Sequence, residues 1–203
     1  MILIGYSGHA FVVYGIVTAE GKKVTGYCDN EEKQYNPFSL HYFGKENSAA
    51  AAAAFKQTDF FIAVGNNTIR ERIFHTLALN NCYPVNAIHP SAVIDAAAGI
   101  ATQGVMVAAN VVINPLAKIG TGAICNTGCI IEHECVVGNF AHIAPGAVLC
   151  GNVKVGNNSF IGANAVIKQG VNIGNSVMVG AGAVVLKDVP DNNTVMGVPA
   201  QIK

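Results

Sequence analysis

Apolar residues occupy every sixth position from Val107 to Val185 without a miss: Val107, Ile113, Ile119, Cys125, Ile131, Val137, Ile143, Leu149, Val155, Ile161, Ile167, Ile173, Val179 and Val185. In a chain that is 51% apolar, fourteen hits in one fixed phase arise by chance roughly once in ten thousand. A second stripe four residues further on is mostly small: Ala117, Ala123, Cys129, Cys135, Ala141, Ala147, Ser159, Ala165 and Ala183. A period of six matches neither the α-helix nor the alternating strand. It predicts a parallel β-solenoid in which each hexad forms one flat side and three sides close a coil of about 18 residues. The aliphatic residue fills the interior, the small residue lets the chain turn inward, and Gly or Asn takes the corners, with glycines at Gly120, Gly138, Gly156, Gly162, Gly174 and Gly180.

Ahead of the repeat the pattern changes. Met1 to Ile4, Val24 to Cys28, Phe60 to Val64 and Val85 to Ile88 read as short strands. The segments from about Gly8 to Ala19, Ser48 to Phe55 and Thr68 to Asn80 read as helices. Residues 31–46 carry weak signals. Strand and helix in alternation predict a small doubly wound sheet. His89-Pro90-Ser91 marks the junction, which gives an α/β Rossmann-like domain over residues 1–88 and the solenoid domain over 89–203. The repeat starts near Val93 in a phase one residue early (Ile94, Ile100), so one residue is inserted before Val107. From Lys187 the period stops, and Gly197-Val198-Pro199-Ala200 is expected to turn and cap the open end.

Composition narrows the function classes. Twelve basic residues balance twelve acidic ones with no basic block, which argues against nucleic acid or an anionic membrane as partner. Mean hydropathy is positive, yet no apolar run reaches the roughly 18 residues of a membrane span. The uncharged first seventeen residues lack the basic leader and apolar core of an export signal. Cys125, Cys129 and Cys135 fall on the inward stripes, where a thiol acts as a small hydrophobe. A reduced, cytoplasmic protein is expected.

Two regions carry candidate chemistry. In the first domain, Gly5 to His9, Asp29-Asn30 and Gly65 to Asn67 each follow a strand. Backbone N–H groups can approach a phosphate there, and Asp29 or Asn30 can bond a ribose or base. The spacing is not that of the dinucleotide fingerprint. In the solenoid, Ile131-Glu132-His133-Glu134-Cys135 places two carboxylates and an imidazole at one corner. A coil of 18 puts Gly151 directly over His133, leaving room beside the ring. It also stacks Ala163 under Ala181, a shallow groove suited to a pantetheine arm. A solvated histidine between acids is the plain structural alternative. His133 and His142 as zinc ligands are a weaker one, since solenoid zinc sites use three histidines. Cys150, stacked over Glu132, has no activating neighbour in sequence. His41 and His75 read as surface residues and His89 as a linker residue.

Taken together, Gly5-Tyr6-Ser7-Gly8-His9, Asp59 to Asn67 with Ile69-Arg70, the Glu132-His133-Glu134 corner, Gly151 to Lys154 and Gly197 to Ala200 resemble the bacterial nucleotide-sugar acetyltransferases of the hexapeptide-repeat superfamily. The likeness is greatest to the UDP-4-amino-sugar N-acetyltransferases of bacillosamine biosynthesis, with sialic-acid O-acetyltransferases as relatives. The resemblance implies a left-handed β-helix and a homotrimer with active sites between subunits. It implies His133 as general base with Glu134 raising its basicity, and acetyl-CoA, with no metal, contacted by His142, Gly151, Ala163 and Ala181. The UDP-sugar is then held by Ser7, Gly8, His9, Asp29, Asn30 and Gly65. One departure is Asn30, where the family pattern has a second acid beside Asp29.

The implied chemistry is direct acetyl transfer to a sugar amine. A protonated amine has no lone pair, so a base must act, and an imidazole titrates close to neutrality. Backbone N–H groups near Gly151 are the expected oxyanion donors, with His142 as a further contributor. Adjacent residues on a straight strand face opposite ways, so Glu134 can orient His133 only if the chain bends there; Glu132 is the alternative. O-acetylation of a sugar such as a sialic acid, a non-catalytic solenoid scaffold and a zinc hydratase are the competing readings.

Overall fold

The computed structural model describes residues 1–203. Every one of the fourteen periodic apolar residues points inward, and none is more than 3% exposed. The small stripe is equally buried. The hexads build three sheets of eight, six and five strands that form the sides of a triangular prism, parallel throughout except for the final strand of the eight-stranded side. One circuit is read from Ile124–Cys125 on the eight-stranded side through Ile130–Ile131 on the six-stranded side to Val136–Val137 on the five-stranded side. Ile119 pairs with Val137, and Cys125 with Ile143, a register of eighteen. In the first coil Ile100 pairs with Ile119 and Ile94 with Ile113, a register of nineteen that absorbs the inserted residue.

The corner glycines serve a different purpose from the one expected of them. None of the six has a positive φ; a Cβ at Gly156 would lie 2.5 Å from the Gly174 carbonyl of the next coil. They permit close stacking. The left-handed turn positions are filled by other glycines, such as Gly122, Gly128 and Gly146, and by asparagines such as Asn152, Asn158 and Asn164.

The first domain is a parallel four-stranded sheet in the order β3-β2-β1-β4, with β1 at Ile2–Ile4, β2 at Gly26–Cys28, β3 at His41–Tyr42 and β4 at Phe60–Ile62. Helix α1 (Gly8–Ala19) buries Ala10, Val13, Ile16 and Val17 in one cluster with Leu3, Tyr27 and Phe61. Helices α2 (Ala49–Phe55) and α3 (Asn67–Ala78) cover the other face with Ile2, Ile4, Phe60 and Ile62. Alternate strand residues thus face opposite layers, as a doubly wound sheet requires. Strand β3 lies in the stretch for which the sequence offered no element.

One further expectation is corrected and one extended. The strand expected at Val85–Ile88 in the front sheet is Ala87–Ile88, and it joins the eight-stranded side of the solenoid beside Met106–Val107. Asn86 fixes it there, donating to the Ala101 carbonyl (2.8 Å) and accepting from Val105 N–H (2.9 Å). At the far end the six-residue period stops at Lys187, as expected, but the coil runs on. Thr194–Met196 pairs in parallel with Met178–Val179 at a register of sixteen, and only then does the chain turn through Gly197 to Ala200 into an antiparallel strand, Gln201–Ile202.

The two domains are locked by one buried side chain. Arg70 is 1% exposed, and all of its donors are used. It bonds the Gly122 (2.8 Å) and Phe140 (2.7 Å) carbonyls of the solenoid, the Val64 (3.0 Å) and Gly65 (3.1 Å) carbonyls of its own domain, and Asn67 Oδ1 (3.0 Å). Asn67 and Glu71 add bonds to Asn158, and Phe140 stacks edge-on against Phe74. No helix is long and apolar enough to cross a membrane.

Candidate active site

His133 stands at the prism edge between the six- and five-stranded sides. Its Nδ1 lies 3.1 Å from Glu134 Oε2, and both side chains are about half exposed. The contact is possible because Glu134 has φ +60°, a left-handed conformation that swings its side chain onto the same face as its neighbour. Glutamate rarely adopts it, at a cost of roughly 1–2 kcal/mol. Strain of this kind concentrates at functional sites. A carboxylate only accepts, so in the neutral form of the ring the proton sits on Nδ1 and the Nε2 lone pair is free. The expected slot is present: a Cβ at Gly151 would lie 2.5 Å from His133 Cε1 and Nε2. Only glycine leaves the imidazole this room.

Ala163 and Ala181 lie one coil apart at the next edge, between the eight- and six-stranded sides, with Gly182 N–H donating to the Ala163 carbonyl (2.8 Å). Ala163 is half-buried and Ala181 exposed. His142 is not beside His133. It sits on the eight-stranded side, 6% exposed, under the front domain. Its ring packs against Phe160 (4.9 Å) and lies 6.1 Å from that of His9. Asn126 Oδ1 accepts from Thr127 N–H (2.8 Å), so its amide nitrogen faces His142 Nε2 (3.1 Å). The His142 proton is therefore on Nδ1, a buried donor near the Gly65 carbonyl with no bond of full geometry. Burial first, then the Arg70 charge and His9, pushes His142 down to about 3. Burial and Arg70 push His9 down to about 4. Both rings are neutral near pH 7.

The three predicted loops meet at one edge of the front sheet because β1 lies between β2 and β4. Ser7 and Gly8 are exposed, and Ser7 leaves the first turn of α1 without a side-chain cap, so its N–H groups are free. Gly65 faces the His9 ring. Asp29 is already committed: Oδ2 accepts from Tyr6 N–H (2.9 Å), Oδ1 from Asn30 N–H (2.7 Å), and Lys33 Nζ is 3.2 Å away. It ties two loops together, and Asn30 is the exposed polar group of that turn. Cys150 is half-buried, its carbonyl accepting from Cys135 Sγ (3.2 Å). No three His, Cys, Asp or Glu side chains converge as a metal-binding group.

Sequence reasoning missed the role of Arg70. The signal was there: Arg70, Ile73, Phe74 and Leu77 fall at helical spacing on the buried face of α3.

A family model of the PglD N-terminal domain matches residues 1–77, and bacterial transferase hexapeptide repeats match residues 134–169. The chain is 33% identical over 153 residues, 72% of its length, to GDP-perosamine N-acetyltransferase of Escherichia coli, and the match spans 59% of that relative. A histidine-to-asparagine variant of perosamine N-acetyltransferase from Caulobacter crescentus, solved with CoA and GDP-perosamine, superposes with a TM-score of 0.92 at 35% identity, covering 100% of this chain and 95% of that one. The acetyltransferase domain of PglB from Neisseria gonorrhoeae, solved with acetyl coenzyme A, gives 0.89 at 32% identity, covering 100% and 98%. The solenoid shares the left-handed parallel β-helix of these neighbours.

Proposed function

The chain belongs to the hexapeptide-repeat nucleotide-sugar N-acetyltransferases, and on that premise we propose that it moves the acetyl group of acetyl-CoA to the 4-amino group of a UDP-linked amino-deoxy sugar of the bacillosamine type. The observation that carries this reading is the corner where His133 is held by Glu134 and left free at Nε2 over Gly151. Nε2 takes a proton from the sugar amine as its nitrogen attacks the thioester carbonyl. The C–N bond forms, the tetrahedral oxyanion collapses, the C–S bond breaks and the imidazolium returns the proton to the departing thiolate. Backbone N–H groups around Gly151 are the available oxyanion donors, the Nδ1–H of His142 being enclosed under the front domain.

The sugar and the base come from different copies of the chain. The front domain docks on the eight-stranded side, whereas His133 stands at the one prism edge that this side does not border. The outer face of the six-stranded side is a ladder of β-branched residues, Val93, Val112, Ile130, Val148, Val166 and Val184, and Val93 is 64% exposed. Such an uncovered apolar face favours self-association. Closing three copies about this side brings the His133 edge of one beside the Ala163–Ala181 edge and the His9–His142 seam of the next. Acetyl-CoA then lies between them, and Ser7, Gly8, Asn30 and Gly65 hold the nucleotide.

Asn30 offers one donor and one acceptor, the complement of the uracil imide edge. The GDP-perosamine relatives favour a GDP-linked substrate as the second reading. Guanine also presents a carbonyl beside a ring N–H, and Asn30 can pair with those two groups as well. Thiol release from acetyl-CoA, measured against UDP- and GDP-linked 4-amino sugars, free sugars and sialic acids, tests both. Turnover with the UDP-sugars is expected; turnover with sialic acid alone would move the reading to O-acetylation.

A further inference from the structure

The turn that carries Gly151 is closed differently from the turns stacked on either side of it. Four turns line the prism edge of His133, at residues 114–117, 132–135, 150–153 and 168–171. In three of them the N–H of the fourth residue bonds the carbonyl of the first: Ala117 to Asn114 (3.3 Å), Cys135 to Glu132 (3.4 Å) and Val171 to Lys168 (3.2 Å). Val153 makes no such bond to Cys150. The Cys135 thiol stands in the gap, its Sγ–H donating to the Cys150 carbonyl at 3.2 Å and its sulfur accepting from the Val153 N–H. We propose that Cys135 is a positioning residue for acetyl transfer, holding the Cys150–Gly151 peptide so that the Gly151 N–H serves as oxyanion donor, an inference that rests on the acetyl-CoA reading above.

Peptide geometry supports the direction. The C=O and N–H of a trans peptide point opposite ways. The thiol draws the Cys150 carbonyl towards the prism interior, where Cys135 itself is fully buried, and the Gly151 N–H is thereby turned outward. That N–H has no acceptor in the protein, although Gly151 is buried. A buried backbone donor without a partner is costly and rare. This one belongs to the residue beside His133, where a Cβ would lie 2.5 Å from Nε2. A base and a free donor thus meet at one point, as attack on a thioester carbonyl requires. At the edge between the five- and eight-stranded sides the matching donors are all taken. Asn139 N–H bonds Asn157 Oδ1 (2.8 Å), Asn157 N–H bonds Asn175 Oδ1 (2.9 Å) and Asn175 N–H bonds Asp191 Oδ1 (2.8 Å).

A second bridge of the same kind shows that the side chain acts through its hydrogen bonds. Ser159 Oγ donates to the Gly174 carbonyl (2.6 Å) and accepts from the Val177 N–H (2.9 Å). Cys135 stands in the same relation to Cys150 and Val153, one coil earlier in the chain. Burial pushes the Cys135 thiol up to about 11, so it keeps its proton near neutrality and remains a donor. Alanine, the residue at Ala117 in the same column, would leave the carbonyl and the Val153 N–H unbridged or let the turn close as its neighbours do. Either outcome shifts the Gly151 N–H from its place beside the imidazole.

The experiment measures thiol release from acetyl-CoA by Cys135→Ala, Cys135→Val and Cys135→Ser, with the amino sugar that the wild type turns over. Ala117 and Val171 share the Cys135 column, so both apolar replacements fit the coil, and calorimetric melting checks that each variant folds. Losing an oxyanion donor outright costs roughly a hundredfold or more, and a displaced donor is expected to lower kcat about tenfold in Cys135→Ala and Cys135→Val, with both KM values unchanged. Cys135→Ser, able to form the bridge seen at Ser159, should retain at least about half of the wild-type kcat. A wild-type kcat in the apolar variants, or a loss that serine does not restore, overturns the positioning role while leaving acetyl transfer standing. No thiol release by the wild type overturns the acetyl-CoA reading, and this role with it.

Discussion

At the scale of single residues the account rests on a corner where three requirements meet: a histidine, an acceptor on its Nδ1 and no side chain over its Nε2. His133→Ala is expected to lower kcat by at least about a hundredfold, the usual effect of losing a general base, measured by thiol release at saturating substrates. Near-normal turnover would remove His133 from that role. Glu134 separates stability from activity. Asparagine tolerates a φ of +60° better than glutamate and already occupies the equivalent turn position at Asn152. Glu134→Asn should therefore hold or raise the melting temperature while lowering kcat about tenfold or more. The sequence indicated His133 and Gly151 because a coil of eighteen places one over the other. It left Glu134 and Glu132 unresolved, because the deciding fact is one backbone angle that the alternation rule for strands does not supply.

At the scale of elements, the seam between the front domain and the solenoid decides how firmly the loops after β1, β2 and β4 are held. Arg70→Met leaves buried carbonyls at Gly122, Phe140, Val64 and Gly65 without their donor. Each such loss costs about 1–3 kcal/mol, so the variant should show a melting temperature many degrees lower in calorimetry. The seam also holds His9 and His142, depressed to about 4 and about 3 by burial and Arg70. The unfolded chain takes up these protons below its ordinary histidine pKa, near 6.5, before the folded chain does. Stability should hold near neutrality and fall as pH drops from about 6.5 towards 4, with His9→Phe flattening the slope in pH-dependent denaturation. This level was only partly legible. The hexads and α1 follow from periodicity, but β3 is two residues long and the Ala87–Ile88 strand takes its sheet from Asn86. The solenoid partners of Arg70 are carbonyls fifty or more residues away along the chain, which leave no mark in composition or spacing.

At the scale of the whole molecule, the triangular section separates His133 from the front-domain loops within one chain, and in the proposed trimer closed on the six-stranded side a neighbouring copy brings them together. Val166→Asp, placed in the centre of the uncovered ladder, should shift sedimentation from trimer to monomer and abolish turnover together. The fold's periodicity was plain in the sequence, but which side stays uncovered was not, because it depends on where the front domain docks. The most direct test mixes two inactive variants. His133→Ala removes the base, and Gly8→Glu sets a carboxylate in open space at the free end of α1, against the substrate diphosphate. Co-expressed in equal amounts, the two should recover about a quarter of wild-type thiol release, because about that share of shared sites joins an intact base to an intact loop. A mixed trimer with no activity above that of either variant alone would contradict a site built between neighbouring copies.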